Sequence, residues 1–201
     1  MRRSPLWLLV AALAGCADDE ATAPCCAACP PAADAPIPDT SIHHLEHRWR
    51  DQQGREVTLR ELGGRPALLA MIFTHCQYAC PAIVGDVKKA LAALPATAAD
   101  TRVLFASMDP ERDTPEVLAA FAKTHGLPAE QYTLLHGSAD AVRDLAAVLG
   151  VRYAQVAGGD FSHSNQIALL DRQGTVVFRL EGLGVDPAPL LAGLGALAQR
   201  K

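Results

Sequence analysis

PALLAMIFTHCQYACP, residues 66–81 of the 201-residue chain, decides the fold. Its first half, Pro66 to Phe73, is a continuous apolar run of strand length with no polar alternation, the pattern of a strand buried on both faces in a parallel sheet. Pro81 stands where a first helical turn accepts proline, and Ile83, Val87, Ala90, Leu91 and Leu94 continue at helical spacing to Pro95. The stretch is therefore a buried strand, a loop and a helix. Two cysteines, Cys76 and Cys80, fall in the loop at the strand's C-terminal end.

The same alternation continues outward. Arg102 to Ser107 predicts a second buried strand, and Pro115 to His125 a helix that Gly126 closes with a left-handed cap. Tyr132 to Leu135 is a third strand, followed by a helix from the Ser138 cap to Leu149 with Gly150 as its stop. Gln166 to Asp171 and Thr175 to Leu180 flank Arg172-Gln173-Gly174 as a hairpin, and Pro187 to Gln199 forms a last helix. Upstream, the Asp51-Gln52-Gln53-Gly54 turn leads into a strand at Glu56 to Leu59, so a short hairpin opens the domain. The expected architecture is an α/β three-layer sandwich with an N-terminal β-hairpin extension. Cysteines in the loop between the central strand and its helix narrow this to the thioredoxin-like kind.

Composition excludes several functions. Lys and Arg total 18 against 22 Asp and Glu, a net charge of −4, and no window gathers the basic stripe that phosphate backbones require. Nucleic acid is not an expected partner. Beyond the N-terminus no apolar run approaches the ~20 residues that span a bilayer. Arg2 and Arg3, the apolar Leu6 to Ala14 and the small Gly15 read as an export signal over residues 1–15. Leu13-Ala14-Gly15-Cys16 has the form of a bacterial lipoprotein box, with Cys16 as the lipid attachment point. Residues 16–40, rich in Ala, Pro and Cys, are expected to be a disordered tether, and residues 41–201 the folded domain. The protein is thus expected on the periplasmic face of the bacterial cell envelope, held to a membrane by its lipid.

The six cysteines are Cys16, the cluster Cys25, Cys26 and Cys29, and the pair Cys76 and Cys80. Residues four apart in a helical or turn-like segment face the same way, so the two sulfurs of the pair can meet on one ion or on each other. A helix N-terminus favours an anion by only ~0.3 to 1 kcal/mol, too little to make two thiolates; a metal cation could. Redox catalysts of the thioredoxin type usually keep two residues between their cysteines, and here there are three. Those catalysts also face the thiols with a cis-proline, where this chain has Phe161-Ser162-His163-Ser164. An imidazole in that place makes a set of two sulfurs and one nitrogen, suited to monovalent copper; structural zinc would want a fourth ligand. A structural disulfide between Cys76 and Cys80 and a redox-active pair stand as the alternatives.

The sequence resembles the Sco/SenC family of copper-binding assembly proteins. The resemblance rests on Cys76, Cys80 and Pro81 of a CxxxCP motif, on Asp109-Pro110-Glu111-Arg112-Asp113-Thr114-Pro115, and on His163 shortly before the strand Ile167-Ala168-Leu169-Leu170-Asp171. It runs from about Ser41 to Leu197. It implies a thioredoxin-like fold, copper held by Cys76, Cys80 and His163, and delivery to the binuclear copper centre of a cytochrome c oxidase or to another apo copper enzyme. The family's usual CPxxCP interior is Gln77-Tyr78-Ala79 here. The rival function is a thiol-disulfide reductase, in which Cys76 attacks a client disulfide, Cys80 resolves it, and the pair ends as a disulfide. A thiol peroxidase is a third reading, needing one reactive cysteine with an arginine nearby.

The remaining candidates have plainer readings. Asp109 to Pro115 reads as turn and cap chemistry, with Thr114 or Asp113 capping the helix that Pro115 starts. Cys25, Cys26 and Cys29 would hold metal near the membrane or pair among themselves. His43, His44 and His47 read as solvated residues of an exposed strand, His75 as a neighbour that tunes Cys76, and His125 and His136 as helix-end and strand-end residues.

Overall fold

The structure, a computed structural model, describes residues 37–94, 96–156 and 161–199. The chain divides into Met1–Pro31 and Ala32–Lys201, and every described residue falls in the second unit. The signal peptide, Cys16 and the group Cys25, Cys26 and Cys29 lie outside the described residues.

After a short 3-10 turn at Ile42–His44 come β1 (Trp49–Asp51), β2 (Glu56–Val57), β3 (Ala67–Ile72), α1 (Ala79–Ala92), β4 (Arg102–Ser107), α2 (Pro115–Thr124) and β5 (Tyr132–Gly137). Then follow α3 (Ala139–Leu149), β6 (Tyr153–Gln155), β7 (Phe161–His163), β8 (Gln166–Leu170), β9 (Val176–Glu181) and α4 (Ala188–Gln199). Seven strands form one sheet in the order β2-β1-β5-β4-β3-β8-β9, with helices packed on it. The apolar run of the sequence is its centre: all six residues of β3 are buried, paired parallel to β4 from Ala67↔Arg102 to Ile72↔Ser107. β5 continues the parallel set, while β8 joins the other edge of β3 antiparallel. Among the described residues no helix is long and apolar enough to cross a membrane.

This topology brings four connections to one end of the sheet, the end outside the carboxyl ends of parallel strands where α/β proteins bind ligands. β3, β4 and β5 run out there, and β8, being antiparallel, begins there. The chain enters the domain at the other end. Ile42 N–H donates to the carbonyl of Gly174 at 3.0 Å, in the β8–β9 turn. Gly174 has φ 77°, and a Cβ on it would lie 2.6 Å from the His43 ring, so both backbone and space require glycine there.

Three local differences from the sequence reading have physical causes. β2 stops at Val57 because Thr58 turns back on Glu61, its N–H donating to Oε2 at 2.6 Å. β5 runs on to Gly137, so His136 sits inside the strand. His43 and His44 lie in the 3-10 turn, and His47 is not free in solvent, since its Nε2 pairs with Asp144 at 2.7 Å.

Candidate metal centre

The loop between β3 and α1 is closed by its own thiols. Phe73 N–H donates to Cys80 Sγ at 3.3 Å, Cys76 N–H to the Phe73 carbonyl at 3.2 Å, and Cys80 N–H to Cys76 Sγ at 3.4 Å. Tyr78 occupies the N-cap of α1 and supplies no side-chain cap. The sulfur of Cys76 takes that place, accepting from the backbone N–H of Cys80, with the N–H groups of Tyr78 and Ala79 nearby. Burial raises the Cys76 thiol pKa, but these donors more than offset it and hold the thiol below its ordinary value. Cys80 is fully buried, and that burial pushes its thiol far up; Phe73 N–H opposes this only in part, and the neighbouring Cys76 adds to it. The pair is thus one accessible sulfur poised to ionise and one buried sulfur that keeps its proton until a cation or a disulfide bond replaces it.

His163 arrives on a separate ribbon. β6 and β7 pair antiparallel as Tyr153↔His163, Ala154↔Ser162 and Gln155↔Phe161, so the residue expected in a loop lies at the end of a short strand. Ser164 N–H donates to the Arg152 carbonyl at 2.9 Å and Arg152 N–H to Ser164 Oγ at 3.0 Å, closing the ribbon's base. Phe73 joins it to the thiol loop, with Phe161 at 5.4 Å and His163 edge-on at 5.8 Å between ring centroids. His163 Nδ1 donates to the Ser164 carbonyl at 3.2 Å, which leaves the lone pair on Nε2. Burial lowers the His163 pKa, against the Ser164 bond, so the ring is neutral at pH 7 and able to act as a ligand. The structure brings the three sequence-predicted residues together: ligand atoms of Cys76, Cys80 and His163 lie within 4.8 Å of one another. Three ligands at about 2.3 Å from a shared metal stand about 4 Å apart in a trigonal plane, so little movement would close the set.

Sequence reasoning missed the role of Asp113. Thr114 is the cap, its hydroxyl accepting from Val117 N–H at 3.4 Å. The Asp113 carboxylate, fully buried, accepts instead from Thr74 N–H at 3.1 Å, Thr74 Oγ1 at 2.5 Å and Ser107 Oγ at 2.6 Å. It fastens the thiol loop at Thr74 to the end of β4. The only signal in the sequence was an Asp before a helix, which looks the same as a cap. His75 groups with Asp109 and Asp113 and not with the thiols; Asp109 is engaged by Arg112 and Asp113 by its three donors. His136 donates from Nδ1 to the Asp113 carbonyl at 3.0 Å, and His125 packs its ring on Phe121 at 4.2 Å.

A thioredoxin-like domain with two thiols and one imidazole gathered at the ligand end of its sheet defines a class of candidate thiol-metal proteins. The chain belongs to the SCO1/SenC family, whose model matches residues 38–199. An SCO2-like protein of Rickettsia typhi is 28% identical over 133 residues, which are 63% of this chain and 64% of that protein, so the chain spans less than two thirds of that relative's length. ScoI of Bradyrhizobium japonicum, solved with copper bound, is 27% identical with a TM-score of 0.64, covering 75% of this chain and 96% of that one. BsSco, a member of the Sco family of cytochrome c oxidase assembly proteins with a disulfide switch, is 25% identical with a TM-score of 0.67, covering 77% and 92%.

Proposed function

We propose that this chain is a copper metallochaperone of the bacterial cell envelope, tethered by a lipid on Cys16, that holds one copper ion through Cys76, Cys80 and His163. The observation that carries this reading is the convergence of those three ligand atoms in a family whose relatives include a copper-bound ScoI. Two soft thiolates and an imidazole suit Cu(I). Cys76 offers the first thiolate, and binding displaces the proton of Cys80, whose burial otherwise keeps it. A three-coordinate ion leaves room for an incoming ligand, so the cargo passes by exchange to an apo copper enzyme. The binuclear copper centre of cytochrome c oxidase is the client in this reading, supported by the assembly role named for BsSco.

The asymmetry of the thiols favours a second activity of the same pair, reduction of a client's disulfide. The Cys76 thiolate would attack one sulfur of that disulfide, the other leaving with a proton; Cys80 would then displace the client's first sulfur. The client gains two electrons and two protons, and Cys76 and Cys80 end joined. Clients with two cysteine ligands need this before they accept copper.

The test uses the full-length chain with Cys16, Cys25, Cys26 and Cys29 replaced by Ser, so that only the domain's two thiols remain. Anaerobic competition with a Cu(I) chelator should show one tight equivalent, weakened about tenfold or more by His163→Ala and abolished by Cys76→Ser. Equally weak binding by the parent and His163→Ala proteins would overturn the metallochaperone reading. A reductase alone would survive His163→Ala and lose all activity in Cys76→Ser.

A further inference from the structure

Tyr78 stands out on the described surface. Its relative exposure is 85%, against 39–45% for the other exposed large apolar residues, Val156, Val177, Leu183 and Val185. It stands midway between the two thiols, two residues from each. Among the described residues its side chain has no hydrogen-bond partner and no ring contact, and at the N-cap of α1 it does none of the capping that Asp, Ser or Thr would do. Only its backbone N–H, which any residue but proline would supply, lies near the Cys76 sulfur. Neither folding nor thiol chemistry accounts for the ring.

We infer that Tyr78 is the anchor by which the copper acceptor docks, its ring entering an apolar rim around the acceptor's own metal ligands. The inference rests on the metallochaperone reading. Ligand exchange requires an incoming sulfur or nitrogen to reach bonding distance, about 2.0 to 2.3 Å, from the ion, so any acceptor must cover the loop that holds Cys76 and Cys80. A partner seated there buries Tyr78. Tyrosine is among the residues that dominate interfaces, giving a large rigid apolar face at little conformational cost. The chemistry of the partner follows from the charge around the ring. From Cys76 to Gly85 the chain carries no charged residue. The first, Asp86, is turned to the neighbouring loop, where it accepts from Gly184 N–H at 2.7 Å and pins Leu183 and Val185 beside α1. The ring is thus flanked along its own stretch of chain by uncharged residues, so the matching rim on the acceptor is apolar and not acidic or basic.

The experiment loads the chain lacking its four N-terminal cysteines with one equivalent of Cu(I) and mixes it with a metal-free, reduced soluble domain of a bacterial cytochrome oxidase subunit bearing the binuclear copper site. Tyr78→Ala should slow second-order transfer by about tenfold or more, while Tyr78→Phe stays within about threefold of the parent. Chelator competition should put the Cu(I) affinity of Tyr78→Ala within about twofold of the parent, since alanine keeps the backbone N–H near the Cys76 sulfur. Val177→Ala, an exposed apolar control on β9, should transfer as the parent does. Raising salt from about 0.05 to 0.5 M should barely change the parent's rate, as for a neutral contact. Undiminished transfer by Tyr78→Ala would overturn the inference. So would a rate falling in step with copper affinity, Tyr78-dependent self-association in place of a complex, or no transfer from a copper-loaded parent. Failure of the metallochaperone reading appears separately, as absence of a bound equivalent before any acceptor is added.

Discussion

The loop with Cys76 and Cys80 leaves β3, whose six residues are all buried, and enters α1 through a fully buried thiol. The ribbon with His163 belongs to a separate two-stranded sheet, and none of the six residues in β6 and β7 is buried. One half of the candidate centre is continuous with the core; the other rests on the partly buried Tyr153 and Phe161, on Phe73 and on the hydrogen bonds between Arg152 and Ser164. Opening the thiol loop disturbs the core, whereas shifting the ribbon breaks few buried contacts, the mark of locally low stability. A carrier has to hold its ion and also release it. On the proposed metallochaperone reading, the difference would give holding to the thiols and make the imidazole the ligand most easily withdrawn when an acceptor arrives.

The strongest way to break this comparison is at Asp113. Asp113→Ala removes a buried carboxylate from three donors, and each charge-assisted bond or stranded buried donor is worth about 1 to 3 kcal/mol. A loss of about 3 kcal/mol in urea unfolding is expected, a large share of a domain's stability. Asp113→Asn, which keeps one acceptor oxygen, should lose less. A loss below about 1 kcal/mol in Asp113→Ala would mean that the thiol loop is not fastened to β4 as the geometry implies.

A smaller effect separates the two thiols within the firm half. Cys76 lies below the ordinary thiol pKa and is partly accessible, while Cys80 is raised and covered. A lowered pKa keeps thiolate present as pH falls below the ordinary thiol value, so Cys76 should continue to react there after a free thiol has slowed. Iodoacetamide on the reduced chain lacking its four N-terminal cysteines should label Cys76 first at every pH in the neutral range, and Cys80 only on unfolding. Peptide mapping checks the order. Labelling of both at similar rates would show that the start of α1 opens as readily as the ribbon.

The same contrast separates what is legible in the amino-acid sequence from what is not. The core-continuous half is legible because burial on both faces, helical spacing and cap residues are local signals: β3, α1, the Thr114 and Ser138 caps and the Gly150 stop lie where the pattern places them. Cys76 and Cys80 are legible as neighbours for the same reason. β6 and β7 are not, since three-residue strands without buried positions carry no alternation long enough to detect. His163 stands out through its position before β8 and through family resemblance, not through any pattern of its own. Asp113 reads as a cap because its partners, Thr74 and Ser107, are brought to it by the pairing of β3 with β4, and no spacing in the sequence encodes that contact.

Ser164 gives the gentlest test, on the yielding half alone. Ser164→Ala deletes the oxygen that accepts from Arg152 N–H but leaves the backbone bond from Ser164 N–H to the Arg152 carbonyl. Arg152 is exposed, so water can replace the lost acceptor and global stability should change by no more than about 0.5 kcal/mol. The ribbon should nonetheless loosen. Amide exchange at residues 153–155 and 161–163 should quicken while that of β3 is unmoved, and Cu(I) affinity should fall by about threefold, less than when His163 itself is removed. A global loss matching that of Asp113→Ala would mean that ribbon and core form one unit. If neither exchange nor affinity moved, the edge-on contact with Phe73 would be holding His163 unaided, and the imidazole would be as firmly placed as the thiols.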